Sequence, residues 1–520
     1  MKLMSICGMH HDLNISYYDG QKLRYIKLER YLQKKHYIHW SEQDFDWSLL
    51  IIDSVGPKIC EYLQSHFPEL QIDYNELDAL CLDSTFSRFN GIDNSSDENT
   101  LYYKYNNKIF VVDHHYLHAL SCELVTEVPY DCSFVFDGKA GEYSSAVFRA
   151  DKKIDHTHES KGSLGIGITL LGRQLNIKGH FLDVSGKLMG LQSYGNIDSR
   201  FLEKIQNYNL KNLGSSVVYG NNMYNINEKI KDNLTLKPGM FDISNCENKL
   251  DAAHTIHTYC GKLLVEYFLE HASPQEKISF SGGVAQNIIW NTQLKEIFPN
   301  LDVIPHCSDE GLSLGGIAFL RKFYNLPKIK LDNFPYSQYD EAPKSVVSID
   351  TILRVARLLS EGKIVAWYQG HGEVGPRALG NRSILMDPRI KDGKEKINKI
   401  KNREYYRPFG ASILQEYAAE YFGLHFDNPY MLYIGKTLKP NLESITHVDG
   451  TCRAQTVSKQ QGEFRLLLEE FHKITGCPVL LNTSLNVSGK PIAGNIVNAI
   501  EEYDRTDIDV LVIGNDIRIK

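Results

Sequence analysis

A strand, tight turn, strand pattern occurs twice in this chain, and that repeat restricts the fold more than any other feature. Lys2 to Cys7 is apolar-rich, Asn14 to Tyr18 alternates, Asp19-Gly20 makes a tight hairpin turn and Lys22 to Leu28 alternates again. The pattern returns from Ser133 to Phe148, where Phe134-Val135-Phe136 runs into Asp137-Gly138 and a second extended stretch, Tyr143 to Phe148, follows. Two such units, each with an Asp and a Gly at a strand end, predict an internally duplicated α/β domain rather than a simple Rossmann sheet. At 520 residues the chain is also too long for one hydrophobic core, so a further domain is expected. Tyr324 to Ser348 carries Pro327, Pro335 and Pro343 with little periodicity, which puts the boundary there, with 1–335 in one domain and 345–520 in the next. Thr85 to Thr100, rich in Ser, Asn and Asp, reads as a mobile loop.

Charge narrows the function. With 57 basic and 64 acidic residues the net charge is -7, which argues against a protein that coats nucleic acid nonspecifically. The ten cysteines form no C-x-x-C pair and follow no charged-then-apolar leader, the expectation for a reduced, cytoplasmic chain. No apolar run approaches the roughly 18 residues of a membrane span, so a soluble protein is expected.

The most chemically specific segment is Gly375-Pro376-Arg377-Ala378-Leu379-Gly380-Asn381-Arg382-Ser383-Ile384. Two arginines five apart, in a backbone stiffened by Gly and Pro, predict a two-point fork for phosphate or carboxylate. A second anion signal follows Ile278-Ser279-Phe280, where Ser281 to Asn287 reads as a strand-to-helix turn. Its paired glycines, Gly282 and Gly283, let backbone N–H groups approach a nucleotide.

A metal signal lies at Asp113-His114-His115-Tyr116-Leu117-His118, just after the apolar strand Ile109 to Val112. If the segment opens a helix, His114 and His118 share one face and His115 points away. Histidines so placed also serve as core or capping groups. Asp137 and Asp309, at two other strand-end turns, add carboxylates; two imidazoles and two carboxylates without a thiolate suit iron(II), manganese or zinc.

The chain resembles the O-carbamoyltransferases of nodulation-factor and antibiotic biosynthesis. Those proteins fuse a TsaD-like domain, of the actin and heat-shock-chaperone ATPase (ASKHA) type, to a YrdC-like α+β domain. The resemblance runs almost end to end and is carried by His11-Asp12, Glu29-Arg30, the His114/His118 pair, Asp137-Gly138, Lys187-Leu188-Met189-Gly190-Leu191 and Gly282-Gly283-Val284-Ala285 in the first part. In the second part it is carried by the arginine fork, Arg407-Pro408-Phe409, His447-Val448-Asp449-Gly450-Thr451 and Asn482-Thr483-Ser484. The resemblance implies a relay in which the YrdC-like domain makes carbamoyladenylate from carbamoyl phosphate and ATP, and the TsaD-like domain passes the carbamoyl group to a hydroxyl. It implies that Arg377, Arg382, Lys401, Arg407, Arg453 and Ser484 hold carbamoyl phosphate and the nucleotide phosphates. Asn482, Thr483, Gly138, Gly282, Gly283 and Asn287 would complete the nucleotide sites. His114, His118, Asp137 and Asp309 would bind a divalent metal at the adenylate phosphate, iron(II) first and manganese or zinc as alternatives, with magnesium accompanying ATP. His11 and Asp12 would orient or deprotonate the acceptor. The family's Gly-Leu-Ala-Pro-Tyr-Gly segment is Gly190-Leu191-Gln192-Ser193-Tyr194-Gly195 here, a departure that bears on acceptor specificity.

For the acceptor, Lys22 to Trp40 sets Lys22, Arg24, Lys27, Arg30, Lys34 and Lys35 against one acid, Glu29, with Tyr25, Tyr31, Tyr37 and Trp40 interleaved. Such a pattern is a solvated cationic face, or a surface that tracks a nucleic-acid backbone and stacks bases. A small sugar or natural-product alcohol is the first acceptor expected. A hydroxymethylated base in DNA, such as 5-hydroxymethylcytosine, is the second, and threonylcarbamoyl transfer to tRNA is a more distant alternative. The oligomeric state is not legible.

Overall fold

A computed structural model describes residues 1–8, 11–36, 52–87, 100–126, 128–140, 142–214, 216–219, 234–237 and 239–520. The expected Ser/Asn/Asp-rich loop falls for the most part on 88–99, and Tyr37 and Trp40 of the basic segment also lie outside the described residues.

The duplication is visible in strand order. The first sheet comprises β1 (Leu3–Cys7), β2 (Asn14–Tyr18), β3 (Leu23–Lys27), β4 (Ala79–Asp83), β5 (Tyr102–Lys104) and β6 (Ile109–Val112), in the order β3-β2-β1-β4-β6-β5. The second contains β7 (Cys132–Ala140), β8 (Tyr143–Arg149) and β9 (Lys152–His158). A separate two-stranded ribbon, β10 (Ser216–Tyr219) with β11 (Leu234–Lys237), precedes β12 (Ile278–Ser281) and β13 (Leu301–Asp302), which complete the second sheet as β13-β12-β7-β8-β9. Each sheet therefore has a three-stranded antiparallel meander whose first strand, β1 or β7, pairs in parallel with a later one, β4 or β12. A further parallel strand follows on the far side, β6 or β13. The same plan twice is the duplicated actin-like α/β architecture. One boundary differs from expectation: Leu28 leaves the strand and opens the short helix Leu28–Leu32.

The helices His114–Ser121 and Leu312–Phe323 share one core with residues of both sheets, including Leu3, Cys81, Phe110, Val135, Ala146 and Phe148. They approach so closely that a Cβ on Gly315 would collide with the Leu117 carbonyl. This packing fixes His114 and His118 against the turn that leads into Leu312–Phe323.

After the helix–strand-free stretch 324–348, the chain forms a mixed sheet of β14 (Val365–Tyr368), β15 (Arg382–Met386), β16 (Gly410–Leu414), β17 (Gly435–Lys436), β18 (Thr451–Val457), β19 (Val479–Ser484), β20 (Val510–Ile513) and β21 (Asp516–Ile519). Its order is β17-β18-β16-β19-β15-β14-β20-β21. The helix Ile349–Ser360 buries Ile352, Val355, Ala356 and Leu359, a stripe at helical spacing that covers this core. All ten cysteines are unpaired thiols. Among the described residues no helix is long and apolar enough to cross a membrane.

Candidate active site

Strand ends of both sheets deliver one cluster. Asp113 caps the helix His114–Ser121 by accepting from Tyr116 N, which sets His114 and His118 on one face with ring centroids 4.8 Å apart. Asp137 projects from β7 and Asp309 from the turn before Leu312–Phe323. His114 Nε2 lies 3.2 Å from Asp137 Oδ2, and His118 Nε2 lies 3.4 Å from Asp309 Oδ1. One donor atom from each of the four residues falls within 4.8 Å of all the others. Both ring nitrogens of His118 are buried without a hydrogen bond, so its imidazole meets the carboxylates in a geometry that suits a shared cation rather than direct donation. The four residues fit a divalent metal on that observation and on their donor chemistry.

Asp83, at the end of β4, was not anticipated. Its carboxylate sits 3.0 Å from His114 Nδ1, the outer partner that fixes which nitrogen faces the cluster. An acid closing an apolar strand, as Asp137 does, was the available signal. Burial alone would lower the pKa of His114, but Asp83, Asp309 and the Asp137 hydrogen bond outweigh it and raise it well above the ordinary imidazole value.

The glycine turn reaches the same place. Gly282 adopts φ 89°, where a Cβ would also collide with the Phe136 carbonyl, and Gly283 N donates to Asp137 Oδ1 at 3.1 Å. Gly138 continues β7, and its carbonyl accepts from Ser163 Oγ. Asn287 differs from expectation: its side chain caps Ile288–Ile297 through Ile289 N and Trp290 N and donates to His257 Nε2, so its polar atoms are committed inside the fold.

Beside this cluster, His11 lies 3.0 Å from Asp12 and 3.5 Å from Asp309. Burial opposes its protonation, but Asp309 and Asp12 raise the imidazole pKa to about 9. Asp12 itself is held well below the usual carboxylate value; burial works against that, and Lys27, His11 and His36 prevail. Lys27 Nζ bonds Glu310 at 2.6 Å and lies 3.0 Å from Glu29 and 3.3 Å from Asp12. The ammonium thus neutralises the carboxylates of the second cluster, Asp12 and Glu29, which His36 adjoins. The neighbouring carboxylates thus favour the protonated form of His11, and Lys27 and the imidazoles favour the charged form of Asp12.

The second centre is a cavity of about 90 Å³ between the two parts of the chain. Arg377, Arg403, Arg407 and Arg453 line it from one side, and Gly186, Met189, Gly190 and Ser193 from the other. The Nε atoms of Arg377, Arg403 and Arg453 are buried without partners. Burial first, and neighbouring guanidiniums second, lower the pKa of Arg403 and Arg453 well below the arginine value. Arg377 is lowered too, again by burial first. His447 Nε2 donates to the Gly190 carbonyl at 2.8 Å, and Lys187 pairs with Glu404 at 2.6 Å; both contacts join the two parts of the chain beside the cavity.

Arg403 was missed, although its place between Lys401 and Arg407 was visible. Arg382 corrects the fork. Its guanidinium is fully buried, donates to the carbonyls of Gln369, Gly370 and Glu341, pairs with Asp340 and stacks 3.6 Å over Tyr368. Both terminal nitrogens are thus committed within the fold and Nε is buried without a partner, while Arg377 lines the cavity without Arg382. Lys401 Nζ bonds Ser484 Oγ at 3.1 Å and Asn486 Oδ1 at 2.7 Å. Asn482, buried in β19 beside Thr483, donates to Ala378 O and Ser412 Oγ and so braces the loop that carries Arg377.

The basic segment is largely spent inside the fold. Arg24 pairs with Asp19, Lys27 with Glu310 and Lys35 with Asp183, while Arg30 is buried. Among the described residues of Lys22 to Trp40, four of the six cations are thus committed within the fold, so the reading of this segment as a nucleic-acid surface gains no support.

The chain matches family models described as carbamoyltransferase N-terminus over 62–318 and carbamoyltransferase C-terminus over 356–520. It is 29% identical to nodulation protein NolNO of Sinorhizobium fredii, over 78% of this chain and 63% of that protein. It is also 29% identical to NolO of Bradyrhizobium diazoefficiens, over 78% of each. With the 3'-hydroxymethylcephem-O-carbamoyltransferase of Streptomyces clavuligerus it shares 32% identity over 45% of this chain and 47% of that one. Among solved structures, HypF of T. kodakarensis aligns at a TM-score of 0.33 and 11% identity over 63% of this chain and 48% of that chain. The duplicated fold is read from this chain's own strand order.

Proposed function

Since the chain belongs to the carbamoyltransferase family, we propose that it is an ATP-dependent O-carbamoyltransferase acting on a hydroxyl of a small sugar or natural-product acceptor. The observation that carries this reading is the arginine cavity. Four guanidiniums with three unpartnered Nε atoms form a site whose charge balance is completed by a polyanion. In this reading residues 345–520 are a YrdC-like domain that makes carbamoyladenylate, and residues 1–335 are a TsaD-like domain that transfers its carbamoyl group.

The chemistry balances with one water. Carbamoyl phosphate and water give carbamate and inorganic phosphate. A carbamate oxygen then attacks the α-phosphorus of ATP, forming carbamoyladenylate and expelling pyrophosphate, with magnesium accompanying the nucleotide. Finally the acceptor oxygen attacks the carbamoyl carbon, the bond to AMP breaks, and the hydroxyl proton passes to a base.

The cavity's arginines gather the anions and bring them to reacting distance. Lys401 and Ser484, joined to each other, bear on the same phosphates from the adjoining strand end. His11 and Asp12 orient the acceptor oxygen beside Asp309. A divalent metal, held by His114, His118, Asp137 and Asp309, would supply Lewis-acid charge next to that oxygen; iron(II), manganese and zinc all suit the donors. The small-molecule acceptor is favoured over hydroxymethylated DNA because the basic residues of Lys22 to Trp40 are mostly paired within the chain.

The test is mass spectrometry after incubation with ATP, carbamoyl phosphate and iron(II), offering sugar alcohols and 5-hydroxymethylcytosine DNA in parallel. The expected result is AMP with a one-carbamoyl mass gain on a small alcohol. A gain on the DNA alone would overturn the acceptor reading, and carbamoyl-phosphate-independent ATP turnover would overturn the activity. Product formation that requires threonine and bicarbonate would move the protein to threonylcarbamoyl transfer.

A further inference from the structure

Glu29-Arg30 belongs to neither of the two centres, yet one short segment, Lys27 to Arg30, is fastened to both. At its start, Lys27 Nζ bonds Glu310 and lies near Asp12, within the group that adjoins Asp309 and His11. At its end, the Arg30 guanidinium, 2% exposed, crosses to the second part of the chain. Its two terminal nitrogens donate to the carbonyls of Glu373 and Gly375, each at 2.5 Å. Gly375 immediately precedes Pro376-Arg377, and Glu373 lies two residues before Gly375.

The loop they belong to has its own internal anchor. Glu373, fully buried, accepts at one carboxylate oxygen from the N–H groups of Leu379, Asn381 and Arg382. Gly375 sits at φ 104°, packed so closely on the Pro305 carbonyl that any Cβ would collide with it. Arg377 is therefore presented from a backbone wedged between Arg30 and the Pro305–Gly311 segment, the same segment that supplies Asp309 and Glu310. A planar guanidinium suits this task because one rigid group holds two carbonyls at once, which a lysine ammonium on a flexible stem does not.

We propose that Arg30 is a positioning residue: it fixes the backbone that aims Arg377 into the anion cavity and mechanically links that cavity to the Lys27–Asp12–Glu310 group. This rests on the arginine cavity being an anion site, and the test separates the two ideas. Inorganic pyrophosphate is titrated into the full chain and its affinity measured for the native sequence, Arg30→Lys, Arg377→Met and the double variant. Arg30→Lys should weaken binding about tenfold, the scale of losing a hydrogen-bonded charged contact. In the Arg377→Met background the same change should cost about twofold or less, because Arg30 acts through Arg377.

Losses that multiply independently in the double variant, or an Arg30→Lys protein that binds as the native one does, would overturn the proposal. Absence of pyrophosphate binding by the native chain would sink the anion site and this inference with it. If Arg30→Lys does not fold, amide exchange on the native chain decides the question. Pyrophosphate should then slow exchange in 27–33 as well as in 373–382, and protection confined to 373–382 would refute the link.

Discussion

In the His–Asp cluster the imidazoles of His114 and His118 face the carboxylates of Asp83, Asp137 and Asp309, while in the cavity between the two parts of the chain Arg377, Arg403, Arg407 and Arg453 face one another. The first group neutralises itself: burial of the imidazoles is opposed by attraction to the carboxylates, which raises their pKa values. The second does not: burial and mutual repulsion act in the same direction on its guanidiniums. The fold can therefore hold the first in ligand-ready geometry without its ligand. In the second Glu404, 3.6 Å from Arg407, offsets part of the repulsion within the site, and a bound anion would add the missing attraction, as expected of a site built to gather polyanions.

Four measurements would break or sharpen that contrast. The largest effect is expected at the cavity: Arg453→Met should lower carbamoyl-phosphate-dependent pyrophosphate exchange by about 10²-fold or more. The same change should raise ligand-free stability, by about 1 kcal/mol, since an apolar side chain replaces a repelled cation. A lower melting temperature in that variant would mean that the cavity is not strained. Next, Asp309→Ala or His118→Ala should abolish metal retention and carbamoyl transfer while leaving adenylate formation in place. Elemental analysis and AMP release read these separately, and normal transfer with the metal removed would dismiss the cluster.

Third is a proton. Lys401 is held well below the lysine range by burial, then by Arg403, Arg407 and Lys35. A depressed lysine binds fewer protons folded than unfolded, so its contribution to stability rises as pH climbs from the folded value towards ~10.4 and is lost below it. An anion placed beside it favours the charged form, so pyrophosphate binding between the free and bound pKa values should take up protons, up to about one. Calorimetry in two buffers of different ionisation enthalpy checks this; proton release would reverse the assignment. Smallest is Lys187→Gln at the Lys187–Glu404 pair, which should cost about 1 kcal/mol or less in thermal unfolding because Glu404 is partly exposed.

Much of the first part of the chain was legible because it depends on local rules. Asp19-Gly20 and the alternating strands around it specify a hairpin wherever they occur, and the second meander carries the same signals, so duplication followed. His114 and His118 were legible as a pair because helical spacing fixes one face. Arg382 was not: its identity and spacing equal those of a phosphate ligand, and only the approach of Asp340 and Glu341 from a distant segment, with Tyr368 on the paired strand, commits its terminal nitrogens within the fold. Asn287 was misread for a similar reason, since an amide at a helix start is as good a cap as a nucleotide contact. The basic residues from Lys22 onward looked free because their partners, Glu310 and Asp183, lie far along the chain.

The sequence by itself determined which segments become strands, turns and helices, that one strand plan occurs twice in the first part of the chain, and which residue types could bind a metal or an anion. These follow from periodicity and backbone preference, which act over a few residues. Tertiary structure decided the rest: that Asp83, Asp137 and Asp309 converge on two histidines, that Arg403 joins the cavity while Arg382 leaves it, and that Arg30 ties the two parts together. Charge energies depend on which groups are brought close and how much water is removed from them, and neither quantity exists until the chain has folded.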